Sequence, residues 1–153
     1  MARVLLIGYG NTLRGDDALG PMALERLRTR LGNAEFLSCH QLTPELAERV
    51  AACDLALFVD ATSDGEPGTV DVKLLSPELP DEASLTHHVR PAALLELAQT
   101  LYGRAPRAML VTGAGANFEN IEGLSKKGQE ALDEICRLIP TLIQGCWRPP
   151  SGK

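Results

Sequence analysis

At 153 residues, with 44% apolar and 23% charged side chains, the chain is long enough for one domain with its own core. The formal net charge of -5 argues against a general nucleic-acid binder, which carries a basic surplus. No apolar stretch approaches the ~20 residues of a spanning helix, so no membrane partner is expected. Met1-Ala2-Arg3-Val4 leads straight into an apolar run without signal-peptide regions, and a cytoplasmic location is expected.

In chain order, Arg3 to Gly8 reads as β1. Its apolar stretch, Val4 to Ile7, suits a strand covered on both faces. The next helix carries Leu19, Met22, Ala23, Leu27 and Leu31 on one face, with Asp16 or Asp17 as cap, Pro21 in the first turn and Gly32-Asn33 as stop. Glu35 to Cys39 is a short β2. Thr43 caps a helix with Pro44 at its first position, running to about Ala51. Leu55 to Asp60 is β3, fully apolar until its last residue. A turn cluster at Asp64 to Gly68 precedes Thr69 to Leu74, which alternates with period two and reads as an antiparallel edge strand. Ser76 to Leu85 is a loop. Pro91 opens a helix through Leu101, ended by Tyr102-Gly103. Ala108 to Thr112 is a buried strand with a Gly-rich exit, Gly113 to Asn117. The last helix spans Ser125 to Leu138, where Pro140 kinks or ends it.

This order implies an α/β fold: a three-layer α/β/α sandwich with a mostly parallel, twisted sheet and an antiparallel edge strand. Residues 1–147 are expected to form a single domain and residues 148–153 a flexible tail. The four cysteines, Cys39, Cys53, Cys136 and Cys146, form no Cys-x-x-Cys pair. They read as reduced, mostly buried thiols, with Cys146 the most exposed.

Two acids, Asp16 and Asp17, sit in the crossover from the first strand to the first helix. Asp60 ends another apolar strand. In an open parallel sheet such strand ends face the crevice where ligands bind. Phosphate chemistry fits poorly there. Gly8-x-Gly10 follows a strand, but the third glycine of a dinucleotide fingerprint is replaced by Leu13. No acid ends β2, and two negative charges stand where a pyrophosphate would sit. A nucleophile elbow is absent around Ser38, Ser63 and Ser84, and the adjacent Cys39-His40 is no dyad. The remaining chemistry is a metal site. Asp17 and Asp60 with one imidazole from His87-His88 make three ligands with open positions for water or substrate. Singly, each of these residues also reads as structure: a cap, a solvated histidine, an acceptor for loop amides. Their joint placement at one sheet edge favours a site.

The stretch from Gly8 to Gly20 resembles the N-terminal signature of the [NiFe]-hydrogenase maturation proteases. The likeness continues through His40 to Leu46, Phe58 to Ala61, Thr86-His87, Pro91 to Leu95, Tyr102 to Pro106 and Gly123 to Ser125. It implies an endopeptidase that trims the C-terminal extension of a hydrogenase large-subunit precursor, its partner, after nickel insertion. It also implies metal binding and catalysis through Asp17, Asp60 and His87, although many members carry Glu at the Asp17 position. Asp16, Asn11 and His88 stand beside these as supporting or alternative residues. The nickel is expected to come with the substrate, zinc or cadmium serving as mimics, and the free protein is expected to be a monomer. A non-catalytic metal-binding chaperone on the same fold is the competing reading, separated by turnover of a precursor. A nucleotide-dependent enzyme is a third, separated by a melting shift with NAD or ATP.

Overall fold

The computed structural model describes residues 2–80 and 89–145. Five strands, β1 (Val4–Tyr9), β2 (Ala34–Cys39), β3 (Leu55–Thr62), β4 (Val70–Leu75) and β5 (Arg107–Ala114), form one sheet in the order β2-β1-β3-β5-β4. All pairings are parallel except β4 with β5. The helices are α1 (Leu19–Arg28), α2 (Ala47–Ala51), α3 (Pro91–Tyr102) and α4 (Lys126–Ile143). Turns of 3-10 helix, Gly15–Ala18 and Pro44–Leu46, precede α1 and α2.

The apolar runs of the central strands follow from burial on both faces. Val4 and Leu6 of β1 pack with Leu57 and Val59 of β3 beneath α1 and α4. Leu5 and Ile7 pack with Ala56 and Phe58 beneath α2 and α3. The sheet is therefore the middle of three layers, as the order of elements implied. On edge strand β4, Val70 and Val72 turn to the core while Asp71 and Lys73 face solvent, the wet face that the alternation predicts. Among the described residues, no helix is long and apolar enough to cross a membrane.

Four local expectations are corrected. The buried stripe of α1 runs through Leu19, Ala23, Leu24 and Leu27, while Met22 is exposed. Helix α1 also stops at Arg28, before Gly32, with Thr29 as its C-cap. Neither Asp16 nor Asp17 caps α1; its N-cap is Ala18, which makes no side-chain cap bond. Finally, α4 runs through Pro140 for another turn. A proline has no N–H to give the previous turn, yet the tolerated loss is one hydrogen bond. The burial of Ile139 and Leu142 on either side holds the helix on the core. Ser125 is the N-cap of α4, its Oγ accepting from the Gly128 amide at 2.9 Å. Asp81 to His88 and Cys146 to Lys153, which include the expected tail, lie outside the described residues.

Candidate active site

Strands β1 and β3 and the start of α1 converge at the carboxyl edge of the sheet, and two glycines let them. A Cβ on Gly20 would lie 2.4 Å from the Val59 carbonyl oxygen and 2.8 Å from the Tyr9 amide. Gly10 has φ +149, and a Cβ there would lie 2.0 Å from the Asp17 carbonyl oxygen. Only glycine permits both the dihedral and the approach. The chain thus folds back on itself between Gly10 and Asp17, with the 3-10 turn pressed against the strand ends.

That fold-back aims Asp17 at the crevice. Its Oδ2 accepts from the Asn11 amide at 2.7 Å. Asn11 spends its own Oδ1 on the Leu13 amide, at 2.9 Å, shaping the loop. From β3, half-buried Asp60 enters the same crevice, its Oδ1 accepting from the Ala61 amide at 2.7 Å. The crevice, of about 550 Å³, is lined by Asp17 and Asp60 together with Tyr9, Arg14, His40 and Arg90, among others. Two carboxylates on one crevice supply the oxygen ligands that a hard or borderline cation takes, while Arg14 and Arg90 on the same walls offset their charge.

Tyr9 ends β1 half-buried. Burial pushes its phenol pKa well up, and the charge of the neighbouring Asp60 carboxylate adds to that shift. The phenol therefore stays neutral. Burial also raises the thiol of half-buried Cys39, opposite Tyr9 on β2, so it is a thiol rather than a reactive thiolate.

Asp16 faces away from the crevice. It is the one fully buried charged residue among those described, with 0% exposure. Its Oδ2 accepts from the amides of Ala116 (2.7 Å) and Asn117 (3.1 Å) and from the Ser125 hydroxyl (2.6 Å), and its Oδ1 from the Ser125 amide (2.8 Å). Burial pushes its pKa up, but the Ser125 hydroxyl and the three amides outweigh that, and the net shift is downward. Space for the carboxylate comes from Gly128, where a Cβ would lie 2.1 Å from Oδ1.

The structure thus brings Asp17 and Asp60 together, sets Asn11 behind Asp17 and turns Asp16 into the loop ahead of α4. His87 and His88 lie outside the described residues. Among the described residues no three His, Cys, Asp or Glu side chains are grouped to hold a metal ion. His40, Tyr9, Arg14 and Arg90 were not singled out by sequence reasoning for a site. The available signal was topological. Tyr9 and His40 stand at the carboxyl ends of neighbouring strands, and Arg90 immediately precedes α3 at the crevice.

No family model matches the chain, and no curated protein does. Solved structures match over nearly its whole length. The hydrogenase maturating endopeptidase HybD from Escherichia coli shares 24% identity at a TM-score of 0.74, covering 94% of this chain and 93% of that one. The [NiFe] hydrogenase maturation protease HycI from Thermococcus kodakarensis shares 26% identity at a TM-score of 0.73, with the same coverage. The HybD protease from Thermococcus kodakarensis shares 19% identity at a TM-score of 0.70, covering 92% of this chain and 98% of the other. The fold of this chain is that of the [NiFe] hydrogenase maturation proteases, the group its first motif resembles.

Proposed function

We propose that this protein is an endopeptidase that removes the C-terminal extension of a [NiFe]-hydrogenase large-subunit precursor after nickel insertion. One observation carries the reading. Asp17 and Asp60, far apart in sequence, open on a single crevice at the carboxyl edge of the sheet, in a fold shared with proteins named as maturation proteases. Asp17 and Asp60, with His87, four residues ahead of α3 in the sequence, would contact nickel that the precursor already carries. A cation held there would supply Lewis-acid chemistry, for a scissile carbonyl or a bound water. Asn11 holds Asp17 through its amide, and the carboxylates supply charge that an amide substitute lacks. Three ligands without a thiolate make an open site rather than a closed structural cage. Docking is then conditional on loading, which keeps trimming from preceding metal insertion.

The test incubates chelator-treated protein with nickel-loaded and nickel-free precursor and reads the lost C-terminal peptide by mass spectrometry. Cleavage of the loaded precursor alone is expected. Asp17→Asn and Asp60→Asn should each slow it by about a hundredfold or more, since even outer partners of a metal cost 10–100-fold. The metal-free melting temperature should stay within about 2 °C, because an asparagine Oδ1 can still accept the Asn11 or Ala61 amide. Equal cleavage of both precursors overturns the nickel dependence. Binding of loaded precursor without cleavage would favour the metal-binding chaperone.

A further inference from the structure

Arg14 and Arg90 line the crevice that Asp17 and Asp60 open on. Yet among the described residues no salt bridge includes either guanidinium. Backbone geometry sets where each one starts. Arg14 is the N-cap of the 3-10 turn. Its amide donates to the Asn11 carbonyl at 3.1 Å, and its carbonyl accepts from the Asp17 amide at 3.0 Å. Its Nε donates to the Phe118 carbonyl at 3.3 Å. That bond uses one N–H of the fork and leaves those on Nη1 and Nη2. Arg90 is the N-cap of α3, held extended at φ -85 and ψ 156, as the residue before a proline is. Its carbonyl accepts from the Leu94 amide at 3.0 Å, while its side chain makes no cap bond.

Two guanidiniums from different elements thus reach one crevice with donors to spend. They offset the two acids only while no cation is present. A divalent ion on Asp17 and Asp60 leaves the guanidiniums in surplus, and the crevice then favours an anion. In a peptide the anionic groups are carboxylates, and the planar guanidinium fork matches a carboxylate's two oxygens. We propose that Arg14 and Arg90 form a recognition site for a carboxylate of the precursor's C-terminal segment, beside the acidic pair. The proposal rests on the endopeptidase reading and adds a determinant of specificity to it. The carboxylate belongs either to an acidic side chain near the scissile bond or to the chain terminus.

The experiment compares wild-type protein, Arg14→Gln, Arg90→Gln and, as a control, Arg137→Gln, whose side chain is exposed on α4 and paired with Glu134. One readout is cleavage of nickel-loaded precursor. The other is the affinity, by fluorescence anisotropy in buffer containing Ni²⁺, for a synthetic peptide spanning the scissile bond and the extension. Arg14→Gln and Arg90→Gln should each raise KM and weaken peptide binding roughly tenfold, as the loss of a charged hydrogen bond does, with kcat unchanged. Arg137→Gln should change neither. Peptides with Asn and Gln in place of Asp and Glu, or with an amidated C-terminus, separate the two sources. Only the change that removes the recognised carboxylate should weaken binding, and it should cost the Gln variants little more. Equal affinity for a peptide stripped of every carboxylate overturns the proposal. So does cleavage whose KM neither Gln variant moves, in which case the endopeptidase reading stands. Arginine-dependent peptide binding without cleavage of any precursor keeps the carboxylate site and removes that reading instead.

Discussion

At Asp16, four hydrogen bonds from three residues meet one carboxylate that water does not reach. An asparagine there would turn an NH₂ group towards donors, leaving buried amides unsatisfied. Asp16→Asn should therefore cost about 3 kcal/mol or more in urea unfolding, with a fall in Tm of about 10 °C. The acid limb carries a second signature. The folded-state pKa of Asp16 lies below its ordinary value, so its stabilisation is present above the usual aspartate pKa of ~4. It is lost as pH falls through the folded value. Wild-type urea midpoints should drop below about pH 4, and the decline should be shallower in Asp16→Asn. Side by side in sequence, Asp16 and Asp17 look interchangeable as caps or ligands. What separates them is 100 residues away, in the amides of Ala116 and Asn117 and in Ser125, and no local pattern encodes that. That Asp17 and Asp60 share a crevice was legible, because the crossover after β1 and the end of β3 both open at the carboxyl edge of the sheet. Tyr9 was not, since a tyrosine ending an apolar run reads as core until its neighbour across the sheet is known.

Elements were readable where burial is simple. The doubly covered strands announce themselves as unbroken apolar runs, and β4 as an alternating one. Errors gathered where tertiary packing outvoted a local rule. Met22 sits three residues after Leu19, a legitimate helical offset, but the sheet lies on the Ala23–Leu24 side. Proline predicts a kink or an end at residue 140 of a helix reaching about Leu138, yet Ile139 and Leu142 each bury in the core and the helix continues to Ile143. Pro140→Ala would restore a backbone donor in a helix already held on both sides. It should stabilise the protein by about 1 kcal/mol in urea unfolding, and a loss would mean that the pyrrolidine ring itself packs.

At the scale of the whole molecule, the layers over the sheet keep two thiols out of reach. Cys53 and Cys136 are 1% and 3% exposed. Burial pushes the Cys53 thiol up to about 11 and the Cys136 thiol upward. With a disulfide reagent at pH 8, peptide mapping should find both unmodified in native protein and both modified in guanidinium chloride. Early labelling of either would show that its layer opens in the native state. The three-layer architecture was foreseeable from the order of strands and helices alone, because right-handed crossovers leave few ways to cover a parallel sheet. The crevice was foreseeable as a place but not as a full set of side chains, since its walls come from strand ends, one turn and the residues before α3.

The bonds from Asp16 to Ala116 and Ser125 also set an order of events in time. They join positions 100 and 109 apart in sequence. A ribosome adding roughly 5–20 residues per second therefore makes the acidic turn several seconds before it makes the partners of that turn. During that interval the Asp16 carboxylate can be hydrated but not buried, and Asp17 beside it has no settled direction. The first motif to leave the ribosome is among the last parts of the molecule to acquire its shape, and a chain cut short before Ser125 would carry the whole acidic turn without the anchor that orients it.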